Sequence, residues 1–257
     1  MRRAIPFLVA GGLAAVLFGS TLTAGDHGRH GSDHAFIESR HGISVNNEGD
    51  AVDCGSFDVS IAGVKAARAE ETVPAAGLRS LRVHSDRHGG VHVIGWDQSQ
   101  YAITACKAAA STAGLAAIQP SLSGNDLTVK GPDSEDWMTI FIIHTPNNAT
   151  LDIDTTNGPI SFRDVVGTVT ANAVNGPIAL KGSSGTIDAT TKNGPISIAD
   201  GSGTVKLHAH NGPVSVKLAS TSWNGSLDAQ TDNGPVSLKI PHGYQSGVLV
   251  ESSGRGP

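Results

Sequence analysis

The sequence predicts an all-β fold, a single parallel β-solenoid (β-helix) with coils of about 18 residues and degenerate coils toward the N-terminus. Three observations predict it. A short motif recurs at a nearly constant step, apolar and polar residues alternate around each copy, and the chain has 32 glycines but only 4% aromatic residues. Such a chain fits tight turns around a core of small and aliphatic side chains, with repeats that bury their apolar faces on one another.

The motif is Asn-Gly-Pro followed by Ile or Val, and its five copies are 18, 18, 18 and 22 residues apart. Its asparagines are Asn157, Asn175, Asn193, Asn211 and Asn233. Residues six and four positions before each Asn, and three and five positions after it, are apolar, whereas those between them are mostly polar. Because this alternation is typical of strands with one buried face, each repeat is interpreted as strand, Asn-Gly turn, strand and glycine-containing turn.

Two architectures could use this repeat. A meander of antiparallel hairpins would place Asn-Gly in a two-residue turn. The proline that follows cannot donate to a strand ladder, and equal steps between identical residues favour stacked coils, with like residues about 4.8 Å apart. We therefore prefer the solenoid and expect the five asparagines to form an inward ladder whose amides satisfy the corner backbone of neighbouring coils.

The longer fourth step adds Ser220–Trp223 to one coil. Extra residues in one coil of a solenoid loop outward, so Trp223 is predicted to be an exposed contact residue. The alternative is that its ring folds back over the edge of the coil.

Residues 1–24 are predicted to be a secretory signal peptide. Arg2 and Arg3 precede an apolar stretch from Phe7 to Phe18, and small residues lead to a cleavage site after Ala24. The apolar stretch is shorter than the about 20 residues that span a bilayer, which favours cleavage over an uncleaved membrane anchor. We therefore expect an exported protein in the periplasm, on the cell surface or outside the cell, with no transmembrane segment in the mature chain.

Residues 25–50 are interpreted as a flexible segment rich in Gly and His, and residues 51–257 as the solenoid domain. The histidines of the segment could hold a divalent metal only weakly, because the glycines between them set no geometry. They are His27, His30, His34 and His41. Neither a metal site nor a cofactor is predicted. Within the domain, Leu81–Trp96 is predicted to be two strands around a Gly-Gly turn.

The chain has two cysteines, Cys54 and Cys106. An even number of cysteines in an exported protein predicts one disulfide, with two buried free thiols as the alternative. No Cys-x-x-Cys motif is present, which argues against redox catalysis.

Several motifs together resemble a known family. They are Cys-x-x-Phe from Cys54, Leu-Arg-Val from Leu81, the segment Gly89–Trp96, the Asn-Gly coils and Ile240–Gly243. The chain resembles, over residues 54–257, the exported bacterial β-strand-repeat family labelled "putative adhesin", a domain of unknown function. The resemblance implies a right-handed, single-domain β-solenoid without an assigned catalytic residue. Here Pro consistently follows Asn-Gly, whereas the family is looser.

No catalytic residue is predicted. Motifs such as Gly-x-Ser-x-Gly and His-Glu-x-x-His are absent, and acids are scattered among Thr, Lys and His in the outward columns. These columns are Asp152, Thr170, Asp188, Lys206 and Asp228, and beside them Asp154, Asn172, Thr190, His208 and Gln230. A polysaccharide-active β-helix enzyme, which needs paired carboxylates, is the alternative. Ice binding needs a double Thr array, and Thr168, Thr186 and Thr204 form a single column.

The sequence therefore predicts a non-catalytic, exported cell-envelope protein, structural or adhesin-like, whose partner is an envelope protein or a glycan. A net charge of −5 argues against nucleic acid, whose binders concentrate basic residues. The last residues offer no capping helix, and a solenoid that ends without a cap leaves strand groups unpaired. We expect end-to-end self-association or pairing with an envelope partner at this end, with a folded-back tail at 251–257 as the alternative.

Overall fold

The computed structural model describes residues 42–47 and 53–248. The predicted signal peptide, most of the segment 25–50 and residues 249–257 lie outside the described residues. The chain is nearly all β, and its parallel coils, stacked about 18 residues apart, make a β-solenoid of about five turns. The predicted fold class is therefore confirmed. None of the helices in the described ranges has the length and apolar character of a membrane span.

Strands account for nearly all the regular structure of the described residues. They are β1 Ile43–Asn47, β2 Phe57–Ile61, β3 Val64–Lys65, β4 Ala67–Val73, β5 Ser80–Gly95, β6 Ala102–Ala109, β7 Gln119–Ser123, β8 Asp126–Lys130, β9 Trp137–Thr145, β10 Ala149–Asn157, β11 Ile160–Arg163, β12 Val166–Asn175, β13 Ile178–Asn193, β14 Ile196–Asn211, β15 Val214–Lys217, β16 Gly225–Asn233 and β17 Val236–Lys239. A short helix, α1, spans Thr112–Ala117, and its N-cap Ser111 accepts a hydrogen bond from the Gly114 backbone.

Each coil has two arms joined at the Asn-Gly corner. The first arm consists of the first half of β5, then β10, β12, the second halves of β13 and β14, and β16. The second arm consists of the second half of β5, then β11, the first halves of β13 and β14, β15 and β17. Neighbouring strands are parallel and in register, and Asn211 still pairs with Asn233 across the longer step. The four extra residues are therefore absorbed outside the ladder.

The core lies between the two arms. The alternating apolar residues point inward from both, and Ile153, Ile160, Ile178 and Ile196 have no exposed surface. Burial of such a side chain contributes about 1.5–3 kcal/mol. The core therefore depends on the alternation seen in the sequence rather than on large aromatic groups.

The Asn-Gly-Pro corner brings the backbones of successive coils into close contact. A Cβ added to Gly176 would lie 2.1 Å from the carbonyl oxygen of Gly158 in the preceding coil. The Gly158 N–H donates to the Asn175 carbonyl at 3.0 Å, and the Ile160 N–H donates to the Pro177 carbonyl at 3.0 Å. Proline thus joins the stack through its carbonyl, and the glycine is required because no side chain fits between the coils.

The N-terminal half differs from the prediction in two ways. The predicted Gly-Gly hairpin is wrong, because β5 is one long strand that turns a coil corner and pairs in parallel along both halves. In addition, β8 and β9 pair in parallel with β5 on the side opposite β10 and β11, so they form the preceding coil in space although they follow β5 in sequence. The prediction of early solenoid coils therefore holds for β5, β8 and β9.

The remaining N-terminal strands are antiparallel rather than degenerate coils. β6 pairs antiparallel with β9, and β4 with β6. β1, β2 and β3 form a separate antiparallel sheet, and β1 lies inside the segment that was expected to be flexible. The physical reason is that the first coil would otherwise present unpaired strand groups, which the antiparallel strands cover.

Candidate functional site

The outward face of the second arm carries a column of positive side chains. Arg163 pairs in register with Lys181, then Ala199, Lys217 and Lys239 follow on successive strands. We name Arg163, Lys181, Lys217 and Lys239 the basic ladder. Because parallel strands lie about 4.8 Å apart, the ladder extends over about 19 Å. Except for the half-buried Arg163, its members are exposed.

A second polar column runs beside the basic ladder, two residues earlier on each strand. It contains Ser161, Ala179, Ser197, Ser215 and Ser237. The face therefore combines cationic groups with hydroxyls that both donate and accept hydrogen bonds.

The outward face of the first arm is richer in acids, although it also carries the exposed Lys192 and Lys206. Its acids are Asp152, Asp154, Asp188, Asp228 and Asp232. Two of them are paired near the start of the arm, where Arg82 Nε lies 3.0 Å from Asp152 and His84 Nδ1 lies 3.3 Å from Asp154. The two faces of the solenoid thus differ in charge, although the chain as a whole is mildly acidic.

Two histidines and one aspartate converge at the far end of the first-arm face. His208 Nε2 lies 3.0 Å from Asp232 Oδ1, and His210 Nδ1 lies 2.6 Å from Asp232 Oδ2. The two imidazole centroids are 4.5 Å apart. Hydrogen bonds from both rings lower the pKa of the Asp232 carboxyl, so this carboxylate is ionised at neutral pH. We name these three residues the His–Asp cluster.

His92 lies on the second-arm face beside the start of the basic ladder. Its Nδ1 is 2.6 Å from Ser161 Oγ, and its ring centroid is 5.2 Å from that of Phe57 in β2. Its Nε2 is buried without a hydrogen-bond partner among the described residues. Burial, with a smaller effect from the Arg163 charge, lowers the pKa of His92 to about 4, so the ring is neutral at physiological pH.

Among the cavities in the described part of the chain, two bear on the enzyme alternative. The larger, about 330 Å³, is lined in part by Arg87, His88 and Asp133, and the smaller, about 200 Å³, lies beside the disulfide with Glu70 and Lys107 on its wall. Each of these linings contains one carboxylate, whereas glycoside hydrolysis normally uses two across the scissile bond.

The predicted disulfide is confirmed, since Cys54 and Cys106 are bonded with their Cα atoms 5.3 Å apart. It links the turn before β2 to β6. Trp223 is half-buried, contrary to the prediction of an exposed contact. Its indole Nε1 donates to the Gly203 carbonyl at 3.0 Å, and the ring packs on the end of the core, which satisfies both its polar and its apolar parts.

The five motif asparagines are joined by side-chain hydrogen bonds. Each Nδ2 from Asn175 onward donates to the Oδ1 of the preceding Asn, at 2.9–3.1 Å. The expected inward orientation is wrong, because the amides from Asn175 to Asn233 face solvent. The corner interior is occupied by the close glycine backbones, which leaves the asparagine side chains on the outside.

The basic ladder and the His–Asp cluster were missed in the sequence, yet both left a signal there. The residue six positions after the motif Asn is basic in four of the five repeats. The residue just before the Asn is His210 in one repeat and Asp232 in the next.

Neither the family models nor the curated proteins contain a match to this sequence. Solved structures with some likeness include a "putative adhesin" of Bacteroides fragilis NCTC 9343, 11% identical over 68% of this chain and 97% of that one, with a TM-score of 0.36. Others are a "putative cell adhesion protein" of Clostridium sporogenes ATCC 15579 (9% identity, 68% and 99% coverage, TM-score 0.32) and a "putative adhesin" of Parabacteroides distasonis ATCC 8503 (10%, 67% and 97%, 0.27). At these values no ligand or activity is transferred to this chain.

Proposed function

We propose that this chain is a non-catalytic, exported, adhesin-like protein of the cell envelope that holds an anionic envelope polymer along the second-arm face. The observation that carries the proposal is the basic ladder, in which strand register aligns four cationic side chains on one face. An acidic chain that collects positive charge on one face has an electrostatic preference there for a negative partner.

The ladder suits a polymer better than a small molecule. Its charges are spread along the solenoid axis at multiples of about 4.8 Å, so a chain with repeated phosphate or carboxylate groups can contact several of them at once. A single exposed ion pair contributes at most about 1 kcal/mol, and useful affinity therefore requires several contacts in series. The neighbouring column adds serine hydroxyls beside Arg163, Lys217 and Lys239.

The scaffold supports this use because the strands that carry Arg163, Lys181 and Lys217 are held on both sides, whereas β17 with Lys239 pairs with β15 on one side. β11, β15 and the first halves of β13 and β14 pair with neighbours in both directions, so the spacing of the cations is set before the ligand arrives. Preorganisation lowers the entropy cost of binding. The disulfide between Cys54 and Cys106 fits an oxidising compartment and supports export.

Binding of polygalacturonate, an anionic glycan, to the purified mature protein tests the proposal, with neutral dextran as the control polymer. The double variant K181E/K217E should weaken polygalacturonate binding at least about ten-fold, because a few lost or reversed ion pairs of about 0.5–1 kcal/mol each amount to that factor. The affinity of the wild type should fall as salt is raised.

The matched control is K192E/K206E, which changes the net charge equally but alters exposed lysines of the first-arm face. It should keep most of the affinity. Equal losses in the two double variants would show that only net charge matters, and equal binding of dextran and polygalacturonate would refute an anionic ligand. No binding of polygalacturonate would also overturn the proposal as stated.

A further inference from the structure

We propose that His208, His210 and Asp232 form a binding site for a divalent transition metal such as Zn²⁺. Their ligand atoms all lie within 4.8 Å of one another. The proposal concerns the first-arm face and does not depend on the anionic polymer proposed for the second arm.

The fold brings the three side chains together through two simple spacings. His208 and His210 are two residues apart on β14, so both point to the outer face of the same strand. Asp232 lies on β16 of the next coil, between residues that pair with Ala209 and Asn211, and therefore opposite His210. Two imidazole rings on one strand and a carboxylate on the neighbouring strand therefore supply three potential metal ligands.

The distances match metal coordination after small movements. Zn²⁺ binds imidazole nitrogen and carboxylate oxygen at about 2.0–2.2 Å, which places tetrahedral ligand atoms about 3.3 Å apart. The present nitrogen–oxygen separations are 3.0 Å for His208 and 2.6 Å for His210. Side-chain rotations that open these contacts by about 0.3 Å for His208 and about 0.7 Å for His210 would admit the ion.

The donor set also selects the class of ion. Two imidazoles with one carboxylate suit Zn²⁺, Cu²⁺ and Ni²⁺, whereas Mg²⁺ and Ca²⁺ prefer oxygen ligands alone. The side chains of His208, His210 and Asp232 are 36%, 45% and 52% exposed. A tetrahedral ion held by three such side chains keeps its fourth position toward solvent, where water or a ligand group can bind.

The competing explanation for the His–Asp cluster is an ordinary surface ion pair between histidine and aspartate. The chain contains such a pair for comparison. His84 faces Asp154 at 3.3 Å on the same outer face, with a single imidazole at the carboxylate. The His–Asp cluster differs because a second imidazole, on the same strand, reaches the other oxygen of the same carboxylate. The neighbouring Lys192 and Lys206 are exposed, so their ammonium groups can remain in solvent when a cation binds.

Titration of ZnCl₂ into the full mature chain, followed by calorimetry, tests the site directly. A background variant, H27Q/H30Q/H34Q/H41Q, removes the histidines of the N-terminal segment, which would bind zinc weakly on their own. In this background we expect one Zn²⁺ per chain. Adding H210Q or D232N should weaken binding at least about ten-fold, the least expected for removal of a direct ligand.

The matched control is H84Q in the same background, which should leave zinc affinity within about two-fold because His84 is no ligand in this site. Co²⁺ in place of Zn²⁺ should give visible absorption typical of tetrahedral nitrogen and oxygen ligands, lost in H210Q. Circular dichroism checks that the variants are folded. No zinc binding in the background variant, or equal binding with H210Q and D232N, would overturn the proposal.

Discussion

Acid should destabilise this fold through His92, and removal of that histidine should relieve part of the effect. The pKa of His92 falls from 6.5 to about 4 on folding, mainly by burial and secondarily by Arg163. The protonated ring would lie under Phe57, with its Nε2 buried and unpaired among the described residues. The folded state therefore binds this proton less readily than the unfolded state.

The sign and size follow from linkage. Between about pH 6.5 and about pH 4 the unfolded chain holds the proton and the folded chain does not, so stability falls as the pH is lowered. One pKa unit corresponds to about 1.36 kcal/mol, so the full loss is about 3 kcal/mol, most of which has occurred at about pH 4.5. Stability from this source is complete above about pH 6.5.

The measurement is urea unfolding of wild type and H92Q at about pH 7.5 and about pH 4.5. Carboxylates titrate in both proteins, so only the difference between them isolates His92. The wild type should lose about 2 kcal/mol more than H92Q on acidification. H242Q, at an exposed histidine, serves as the control and should behave like the wild type. The same pH dependence in wild type and H92Q would show that His92 titrates alike in both states.

Three further predictions concern the asparagine ladder, the glycine contact between coils and the outer edge of β17 in the described residues. Asn193→Ala breaks two hydrogen bonds of the asparagine ladder and should lower the free energy of unfolding by about 1 kcal/mol. The adjacent Lys192→Ala should lower it by at most about 0.5 kcal/mol. Equal losses in the two variants would contradict a stabilising ladder. Gly176→Ala places a Cβ 2.1 Å from a backbone oxygen and should lower the free energy of unfolding by more than about 2 kcal/mol. In the control Gly247→Ala the added Cβ meets no atom within contact distance, so thermal unfolding should be nearly unchanged. In the described residues β17 pairs with β15 alone, and Leu238 is 41% exposed. We therefore expect association through this edge with a second copy of the chain, and Leu238→Lys should weaken it. Monomers at every concentration in sedimentation would refute this expectation.

Much of the solenoid could be predicted because its determinants are local. The 18-residue step and the alternation of apolar residues are visible in the sequence and fix which side chains face inward. Parallel in-register stacking then follows, since only that arrangement aligns the apolar columns of all repeats. The disulfide could be predicted for a simpler reason, because Cys54 has a single available partner in the chain.

The N-terminal half could not be predicted in the same way. It has no repeat to set strand register, so the Gly-Gly pair in β5 predicts a hairpin turn as readily as the coil corner that it forms. The return of β8 and β9 to the far side of β5 joins residues distant in sequence. Phe57 covers His92 only after β2 has packed on the outer face of this end.

The sequence by itself therefore determined the coil, its period and the composition of its core, because period and polarity are properties of neighbouring residues. Only the tertiary structure decided which outward columns form the two proposed binding surfaces. Strand register makes one face of Arg163, Lys181, Lys217 and Lys239, and it sets two imidazoles against Asp232. Both surfaces depend on distances between residues that are a full coil apart in the sequence. Backbone stacking brings such residues to within a few ångströms, and the type of side chain alone does not encode this.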